Sequence, residues 1–476
     1  MASVSEPPPD TAQAPPAQSF WAAVRASLTG RRQDYTKLPL PRAILLLAVP
    51  MGLELLMEST FGLVDMFFVG KLGPAAIATV GLTGSLIMLL FAVALGLSIG
   101  ATATVARRIG EGDEEGASLA AAQAIGAGIV VSIPFGILGW IWAPRMLAWM
   151  GGSPDAIAGS GYTSILFGGS ITIFLLFLNN AIFRGAGDAA IAMRSLWLAN
   201  LINIVLDPCL IFGWGPFPEM GLEGAAVATT IGRGIGVLFQ FWALATGERR
   251  VLLRRSMLRL NWAVMSPLLK ISRKGIAQFF IATASWLGVM RIVALLGDDI
   301  LAGYTIALRL IHAAILPSWG MSNAVSTLVG QNLGANKPER AEQSVWLTGK
   351  YNFIFLATMT AIFGLTAEFL TALFTDDPAV ISAGAQALRV SSLAYVFSAY
   401  TMVFSQAFNG AGDSDTPMKI NFYVMWLWQL PLAYLLSQTL GFGLPGAMSA
   451  IVISMATWAV VGFVIFRRGN WKKATA

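Results

Sequence analysis

Cysteine and histidine are almost absent from this sequence. Its 476 residues include one of each, Cys209 and His312. A single cysteine excludes an intrachain disulfide and a metal site built from several cysteines, and a single histidine excludes a histidine cluster. The sequence shows no nucleophile–histidine–acid set and no metal-ligand cluster. We therefore expect a protein that is not an enzyme and that carries no cofactor.

Charged residues are scarce as well. They make up 12% of the chain, against 56% hydrophobic residues, whereas a soluble domain has about 25% charged residues. A spanning helix needs about 20 apolar residues. Four long stretches contain no charge at all, at 72–106, 116–144, 156–183 and 420–466. This composition is typical of an all-α integral membrane protein.

Hydropathy and helix-breaking residues predict twelve transmembrane helices. Before them, residues 1–40 are rich in Pro, Ala and Ser, which favours a disordered tail. The predicted spans are 43–70, 74–106, 116–143, 156–183, 190–213, 221–246, 263–296, 300–333, 341–371, 379–409, 416–440 and 444–467.

An internal repeat divides the spans into two groups of six. The motif Phe-x-Gly-Ala-Gly-Asp occurs at 183–188 and 408–413, and two flanking blocks recur at nearly the same offset, the first of them at 104–117 and 328–341. Six is an even number, so both copies enter the membrane from the same side, and the predicted symmetry axis runs along the membrane normal. We interpret each motif as the turn after the fourth helix of its half, with the aspartate capping the next helix.

The distribution of Lys and Arg predicts the topology. Most of them fall in the even-numbered loops and the termini, and the opposite side carries little more than Lys71 and Arg145. By the positive-inside rule both termini are cytoplasmic and the protein lies in the cell membrane, so the net charge of +6 does not indicate nucleic acid.

The predicted units are a disordered cytoplasmic tail (1–40), an N-terminal six-helix lobe (41–247), a basic cytoplasmic linker (248–262), a C-terminal six-helix lobe (263–468) and a cytoplasmic tail (469–476).

The first predicted helix contains three acids, Glu54, Glu58 and Asp65. At 100° per residue they share one stripe. An ionisable group at membrane depth costs at least about 2.5–3.5 kcal/mol, which favours a functional role. Alternatively, Glu54 reaches the membrane interface and Asp65 is a carboxylate at the helix end.

The fifth predicted helix contains Asn203 and Asp207, four residues apart on one face, followed by Pro208. An amide and a carboxylate beside a proline bend can hold a proton or bind Na⁺ through oxygen ligands. Alternatively, they are a buried polar pair that fixes helix packing. Other ionisable residues at membrane depth are Arg233, Arg291, Arg309, His312, Glu368 and Arg389; the roles of Glu54, Arg291, Arg309 and His312 stay open.

Several stretches together resemble the MATE family, the multidrug and toxic-compound extrusion transporters, and in particular its DinF-like branch. The resemblance covers about 40–470. It implies two six-helix lobes around a central cavity and export of amphiphilic, often cationic, compounds in exchange for H⁺ or Na⁺. The stretches are VDMFFVGKLGPAAIATVGL (64–82), GATATVARRIGEGD (100–113), FRGAGDA (183–189), NIVLDPCLIFG (203–213), GLEGAAVAT (221–229) and QAFNGAGDSDTP (406–417).

The resemblance also implies a polar cluster in the N-terminal lobe that carries the coupling ion. Its members fall on Asp65, Tyr162, Asn203, Asp207 and Thr229, and Na⁺ would bind at Asp65, Asn203, Asp207 and Thr229. Two features depart from the family. Glu58 stands where an uncharged amide is expected, and the seventh and tenth helices lack the acids of another branch, which disfavours coupling through the second lobe.

The leading hypothesis is therefore a monomeric secondary antiporter that works by alternating access. The alternative is a flippase for lipid-linked oligosaccharides with the same lobe plan, but the acid stripe of the first helix disfavours an anionic cargo. The expected partners are small organic molecules and the lipid bilayer. The sequence does not specify the natural substrate, nor the choice between H⁺ and Na⁺.

Overall fold

The computed structural model describes residues 20–30, 32–246 and 249–474, and every regular element in these ranges is helical. The α-helices are α1 (Phe20–Thr29), α2 (Leu40–Gly70), α3 (Pro74–Glu111), α4 (Glu114–Trp149), α5 (Pro154–Ala158), α6 (Ser160–Gly168), α7 (Ser170–Ala186), α8 (Ala189–Phe212), α9 (Gly221–Ala245), α10 (Trp262–Ala294), α11 (Asp298–Gly334), α12 (Pro338–Ala372), α13 (Pro378–Ser392), α14 (Ala394–Ala411), α15 (Asp415–Asn421), α16 (Leu430–Tyr434) and α17 (Gly443–Arg467).

The helices account for twelve spans. In the described ranges nine single helices are long and apolar enough to cross a membrane, and two further spans are bent pairs, α6–α7 at 46° and α13–α14 at 48°. The twelfth span, Asp415–Thr439, alternates between α-helical and π-helical turns. The protein is thus an all-α, multi-pass membrane protein, and the predicted all-α membrane fold is confirmed.

The two halves repeat the same backbone. Both bent pairs are the fourth span of their half, and each ends on a glycine with φ 90°, Gly187 or Gly412. The next residue closes each helix with the same backbone hydrogen bond, from Asp188 N to Phe183 O at 2.7 Å and from Asp413 N to Phe408 O at 2.9 Å. The repeated motif is therefore a left-handed turn that glycine adopts without strain.

The aspartates of these two turns differ in their contacts. Asp413 Oδ1 accepts a hydrogen bond from the backbone N–H of Thr416 at 3.2 Å, as expected for a cap. Asp188 makes no side-chain capping bond and instead lies 3.8 Å from Arg249. The predicted cap is therefore found in the second half, whereas in the first half an ion pair replaces it.

The halves meet through reciprocal contacts between glycines and backbone. Gly96 of α3 lies against Ile276 of α10, and Gly320 of α11 lies against Gly52 of α2. An offset of 224 residues relates Gly52 to Ile276 and Gly96 to Gly320, so exchanging the halves converts one contact into the other. Such self-complementary contacts define a twofold relation. A second reciprocal set joins Gly110 with Gln331 and Gly334 with Arg107.

The lobes approach each other at one end. The reciprocal contacts use the second halves of α3 and α11, which lead into basic residues at 107–108 and 337–340. We call this end the basic face. Towards the opposite end, Cβ atoms added at Gly62, Gly81 or Gly84 would meet nothing within 4 Å. The closest approaches between the two halves therefore lie towards the basic face.

The N-terminal segment differs from the disordered tail predicted for 1–40. Residues 1–19 and 31 lie outside the described ranges, but residues 20–29 form α1, since this stretch lacks the prolines that precede it. Residues 32–38 then cross the basic face and touch both lobes. Their hydrogen bonds are Arg250 to Gln33 O (2.7 Å), Tyr35 to Gly187 O (3.0 Å), Lys337 to Thr36 O (3.0 Å) and Arg340 to Tyr35 O (3.2 Å).

The other predicted connecting segments also pack against the helices. Gln123 of α4 donates hydrogen bonds to the carbonyl oxygens of Met257 (3.2 Å) and Arg259 (2.9 Å), which fixes the basic linker. At the C-terminus, the buried ring of Trp471 stacks on Phe466 with centroids 4.8 Å apart. Residues 247–248 and 475–476 lie outside the described ranges.

The glycine contacts give a test of how the lobes close. Gly96→Val places methyl groups against the Ile276 backbone, whereas Gly84→Val in the same helix meets open space. Overpacking typically costs about 1–3 kcal/mol. We expect Gly96→Val to lower the thermal unfolding temperature in detergent and to increase the labelling of a cysteine introduced at the basic face. Equal effects of the two substitutions would contradict the close approach at Gly96.

Candidate functional site

The acids of α2 face the interior of the N-terminal lobe. They contact α7, α8 and α9, the fourth to sixth spans, rather than the second lobe. The three acids occupy different environments: Glu54 pairs with Arg184, Glu58 lies beside Arg233, and Asp65 lies in a polar group with Asp207.

Glu54 pairs with Arg184 through one oxygen, and its other oxygen, Oε2, is buried without a hydrogen-bond partner. It is buried, and its Oε1 accepts hydrogen bonds from Asn180 Nδ2 at 2.9 Å and from Arg184 at 3.3 Å. Asn180 is held in turn by Gln240, whose Nε2 donates to the amide oxygen at 2.7 Å. A buried carboxylate needs such a partner. Glu54 is therefore buried and paired inside the lobe, and its side chain does not extend to the protein surface.

Glu58 lies one turn further along α2 and contacts two other helices. Its Oε2 accepts from Asn200 Nδ2 of α8 at 3.3 Å, and its Oε1 lies 3.8 Å from the Arg233 guanidinium of α9. The guanidinium also lies 5.9 Å from the ring of Phe61 and 6.0 Å from that of Phe91. Glu58, the acid that departs from the family resemblance, thus lies beside a buried cation, Arg233.

Asp207 and its neighbours form a compact polar group. Asn203 Nδ2 donates to Asp207 Oδ1 at 3.2 Å and to Thr229 Oγ1 of α9 at 3.1 Å. All three side chains are buried, and Asp207 is 0% exposed. Helix α8 continues through Pro208 to Phe212, so the proline removes one hydrogen-bond donor without ending the helix.

Asp65 and Tyr162 complete this group. Both are buried, Asp65 with 9% of its surface exposed. Asp65 interacts electrostatically with Asp207 and with Arg233, and Tyr162 interacts with both aspartates. The structure therefore brings together Asp65, Tyr162, Asn203, Asp207 and Thr229, with Glu58 and Arg233 beside them.

The group is incompletely satisfied. Within the described part of the chain, Asp65 Oδ1, Asn203 Oδ1 and Asp207 Oδ2 are buried and have no hydrogen-bond partner. Leaving a buried polar atom unpaired costs about 1–3 kcal/mol, and more for a charged group. A proton on a carboxylate, or a hard cation bound by these oxygens, removes that cost. The described residues contain no cluster of three His, Cys, Asp or Glu side chains suited to a transition metal.

The remaining ionisable residues at membrane depth lie elsewhere. Arg291, Arg309 and His312 are exposed on α10 and α11, and Glu368 pairs with Arg389 at 3.0 Å, where both side chains are exposed. Arg233 is the residue whose place in the site the sequence reasoning missed. The sequence did contain a signal for this role, because Arg233 is the sole charged residue from 224 to 247.

The positions of α10 in the second lobe that correspond to the acids of α2 carry uncharged side chains. At the offset of 224 residues, Gln278 replaces Glu54, and its Nε2 donates to Ser405 Oγ at 3.0 Å. Ala282 and Val289 replace Glu58 and Asp65. The candidate ion-binding group therefore has no charged counterpart at these positions of α10.

Comparison with known proteins identifies relatives along nearly the whole chain. The MatE family model matches residues 50–209 and again 276–435. The chain is 26% identical over 438 residues to the probable multidrug resistance protein NorM of Thermotoga maritima, covering 91% of this chain and 93% of the relative. It is 25% identical over 441 residues to a FAD transporter of Shewanella oneidensis, covering 92% and 96%.

A solved structure shows the same fold. It is the outward-facing conformation of a multidrug resistance MATE family transporter, which matches with a TM-score of 0.85 at 26% identity and covers 95% of this chain and 99% of that chain.

The buried Glu54–Arg184 pair and the exposed Glu368–Arg389 pair give a test of which charges hold the fold. Removing one partner of a buried pair costs about 3–5 kcal/mol, whereas an exposed pair contributes about 0–1 kcal/mol. We expect Arg184→Met to destabilise the protein strongly, Arg389→Met to have little effect, and Glu54→Gln combined with Arg184→Met to recover part of the loss. Denaturation followed by fluorescence measures each. Equal losses for Arg184→Met and Arg389→Met would contradict the buried pairing of Glu54.

Proposed function

Because this chain belongs to the MATE family, we propose that it exports amphiphilic, often cationic, drugs or toxic compounds from the cell in exchange for H⁺ or Na⁺. The family consists of transporters, not enzymes, and several relatives bear multidrug resistance names. The single observation that carries the proposed ion coupling is the set of unpaired oxygens of Asp65, Asn203 and Asp207.

The burial of this group supports a coupling role. When the cleft faces outward, a proton or Na⁺ reaches Asp65 or Asp207 and cancels one buried negative charge. The hydrogen bonds from Asn203 to Asp207 and Thr229 then rearrange, and α2 or α8 bends. This change weakens drug binding and favours release. The coupling is limited to the difference in ion affinity between the two states.

The close contacts between the halves towards the basic face support an orientation. If the basic face is cytoplasmic, as the positive-inside rule predicts, the lobes pack most closely on the cytoplasmic side, which an outward-facing transporter requires. The termini then lie in the cytoplasm, and the protein acts as a monomer in the cell membrane. The proposal includes the lobe boundaries, 41–247 and 263–468.

The alternative function, a flippase for lipid-linked oligosaccharides, is less well supported. Glu58, Asp65 and Asp207 share the interior of the N-terminal lobe with one nearby cation, Arg233. An anionic cargo bound among these acids would meet like charge, which disfavours binding.

Asp207→Asn provides the test of ion coupling. It retains volume and hydrogen bonding but cannot change charge. We expect this variant to fold and bind drug, yet to lose gradient-driven exchange in proteoliposomes by at least about tenfold, as expected for losing about 1.4 kcal/mol of coupling. Asn203→Ala should weaken exchange less, because it removes a ligand but leaves the charge.

The control is Asp376→Asn, an exposed aspartate in a loop. It should transport like the wild type. If Asp207→Asn still exchanges drug as the wild type does, Asp207 is not the coupling residue, and Glu58 and Asp65 are the next candidates. Loss of folding together with binding would support the packing role for Asn203 and Asp207.

A further inference from the structure

One stripe of α11 makes the contacts with the first half. Gly320 lies against Gly52 of α2, and the side chains of Thr327 and Gln331 each donate a hydrogen bond of 2.9 Å to a backbone oxygen of the first half. At 100° per residue, the three positions on α11 fall within about 40° of one another. This stripe is therefore the side of α11 that faces the N-terminal lobe.

Arg309 lies on the continuation of this stripe, away from the basic face. It precedes Gly320 by eleven residues, which places it about 16 Å along the helix and about 20° from the direction of the glycine. Arg309 is exposed, as are Ala302 and Ala313 on the same stripe. The first half therefore covers the stripe at Gly320 and leaves it uncovered at Arg309.

Neighbouring helices of the second half occupy the two flanks of the stripe. On one flank the ring of His312 lies 6.3 Å from the ring of Trp286 of α10, and on the other Gly303 lies against the backbone of α13. These positions are about 80° and 100° to either side of the stripe. Arg309 thus lies between the flanks and faces the space between the halves.

Arg309 brings a charge to a surface that is otherwise uncharged. The matching stripes of α2, α3 and α10 continue from Gly52, Gly96 and Ser272 away from the basic face. Over about four turns from these contacts, the described residues on the three stripes are neutral. Those that are exposed or half-buried include Ser59, Leu63, Ser85, Leu89, Thr283 and Trp286.

The repeated fold does not require this charge. At the offset of 224 residues, Ser85 of α3 stands where the second half has Arg309. Arg309 lies within the predicted span 300–333 and forms no ion pair with another described residue. Charged residues inside spans rarely face lipid, and they commonly mark the path of a substrate. The arginine is therefore placed where a cargo would pass and has its charge free to bind one.

We propose that Arg309 binds the anionic group of an amphiphilic aromatic cargo in the space between the halves. This inference rests on the proposed export function and assigns to its cargo a carboxylate, sulfonate or phosphate group, alone or beside a cationic one. A guanidinium donates paired hydrogen bonds to such groups. The indole of Trp286 is 39% exposed and offers a face for aromatic stacking.

The acids of the N-terminal lobe do not oppose an anion at this site. Glu58 and Asp65 lie about 120–140° around α2 from Gly52, and both contact groups inside the lobe. The backbone of α2 therefore separates them from the space that Arg309 faces. Repulsion by like charge, which disfavours an anionic cargo among these acids, is weaker at Arg309.

The test compares two xanthene dyes of opposite charge, fluorescein and rhodamine 123, on the full-length protein. Fluorescence polarisation measures binding in detergent, in mildly alkaline buffer where fluorescein is fully ionised. The variants are Arg309→Gln, Arg309→Lys and Trp286→Ala. Arg389→Gln is the matched control, because Arg389 is also an exposed arginine of the second half but pairs with Glu368.

We expect Arg309→Gln to weaken fluorescein binding at least about tenfold and to leave rhodamine 123 binding unchanged or tighter, because the repelling cation is gone. Arg309→Lys keeps the charge without the planar donor pair, so its fluorescein affinity should lie between those of the wild type and Arg309→Gln. Trp286→Ala should weaken both dyes, since stacking does not depend on the sign of the charge. Arg389→Gln should bind both dyes as the wild type does.

Three results would overturn the inference while leaving the export proposal in place. They are wild-type fluorescein affinity in Arg309→Gln, an equal loss of both dyes in that variant, and a wild type that binds rhodamine 123 but not fluorescein. If Arg309→Gln does not fold, Arg309→Lys provides the same comparison. Failure of the wild type to transport either dye under an imposed pH or Na⁺ gradient would instead count against the proposed function itself.

Discussion

Buried negative charge in the N-terminal lobe is the constraint on which the rest of the structure depends. Glu54 is paired with Arg184, and Glu58 and Asp65 interact with Arg233, whereas the interactions of Asp207 are with Asp65 and Asn203. An uncompensated buried charge is costly, so the group must gain a proton or cation, or meet water. The proposed coupling links the occupancy of this group to the packing of the halves towards the basic face.

The glycine contacts between the lobes follow the twofold relation, whereas the distribution of charge does not. Gly96 of the first half and Gly320 of the second half each lie against the backbone of the other half. These equivalent contacts are consistent with two halves of similar structure. The charge does not follow this symmetry, because Gln278, Ala282 and Val289 stand where the first half has Glu54, Glu58 and Asp65. One lobe therefore carries the candidate ion-binding group, and the corresponding positions of α10 in the other lobe are uncharged.

Much of the fold was predictable because a membrane imposes simple rules on sequence. Apolar runs fix the spans, and the repeated glycine turn fixes the symmetry. The shared stripe of α2 and the pair Asn203–Asp207 follow from helical periodicity. Contacts between side chains of different helices could not be predicted in the same way. Arg184 falls just after the predicted fourth span, in a basic loop, yet it pairs with Glu54. Pairing between distant helices depends on packing that one sequence does not specify, and for this reason Arg233 had no assigned place.

Proton release on drug binding is the most direct test of the central claim, that buried carboxylates couple ion to drug. The purified transporter is mixed with a cationic drug in weakly buffered detergent solution containing a pH indicator. The account predicts release of about one proton per transporter, as linkage requires when drug and proton favour different states. Drug binding with no proton release at any pH across the titration range, and with the same affinity in NaCl and in choline chloride, would contradict it.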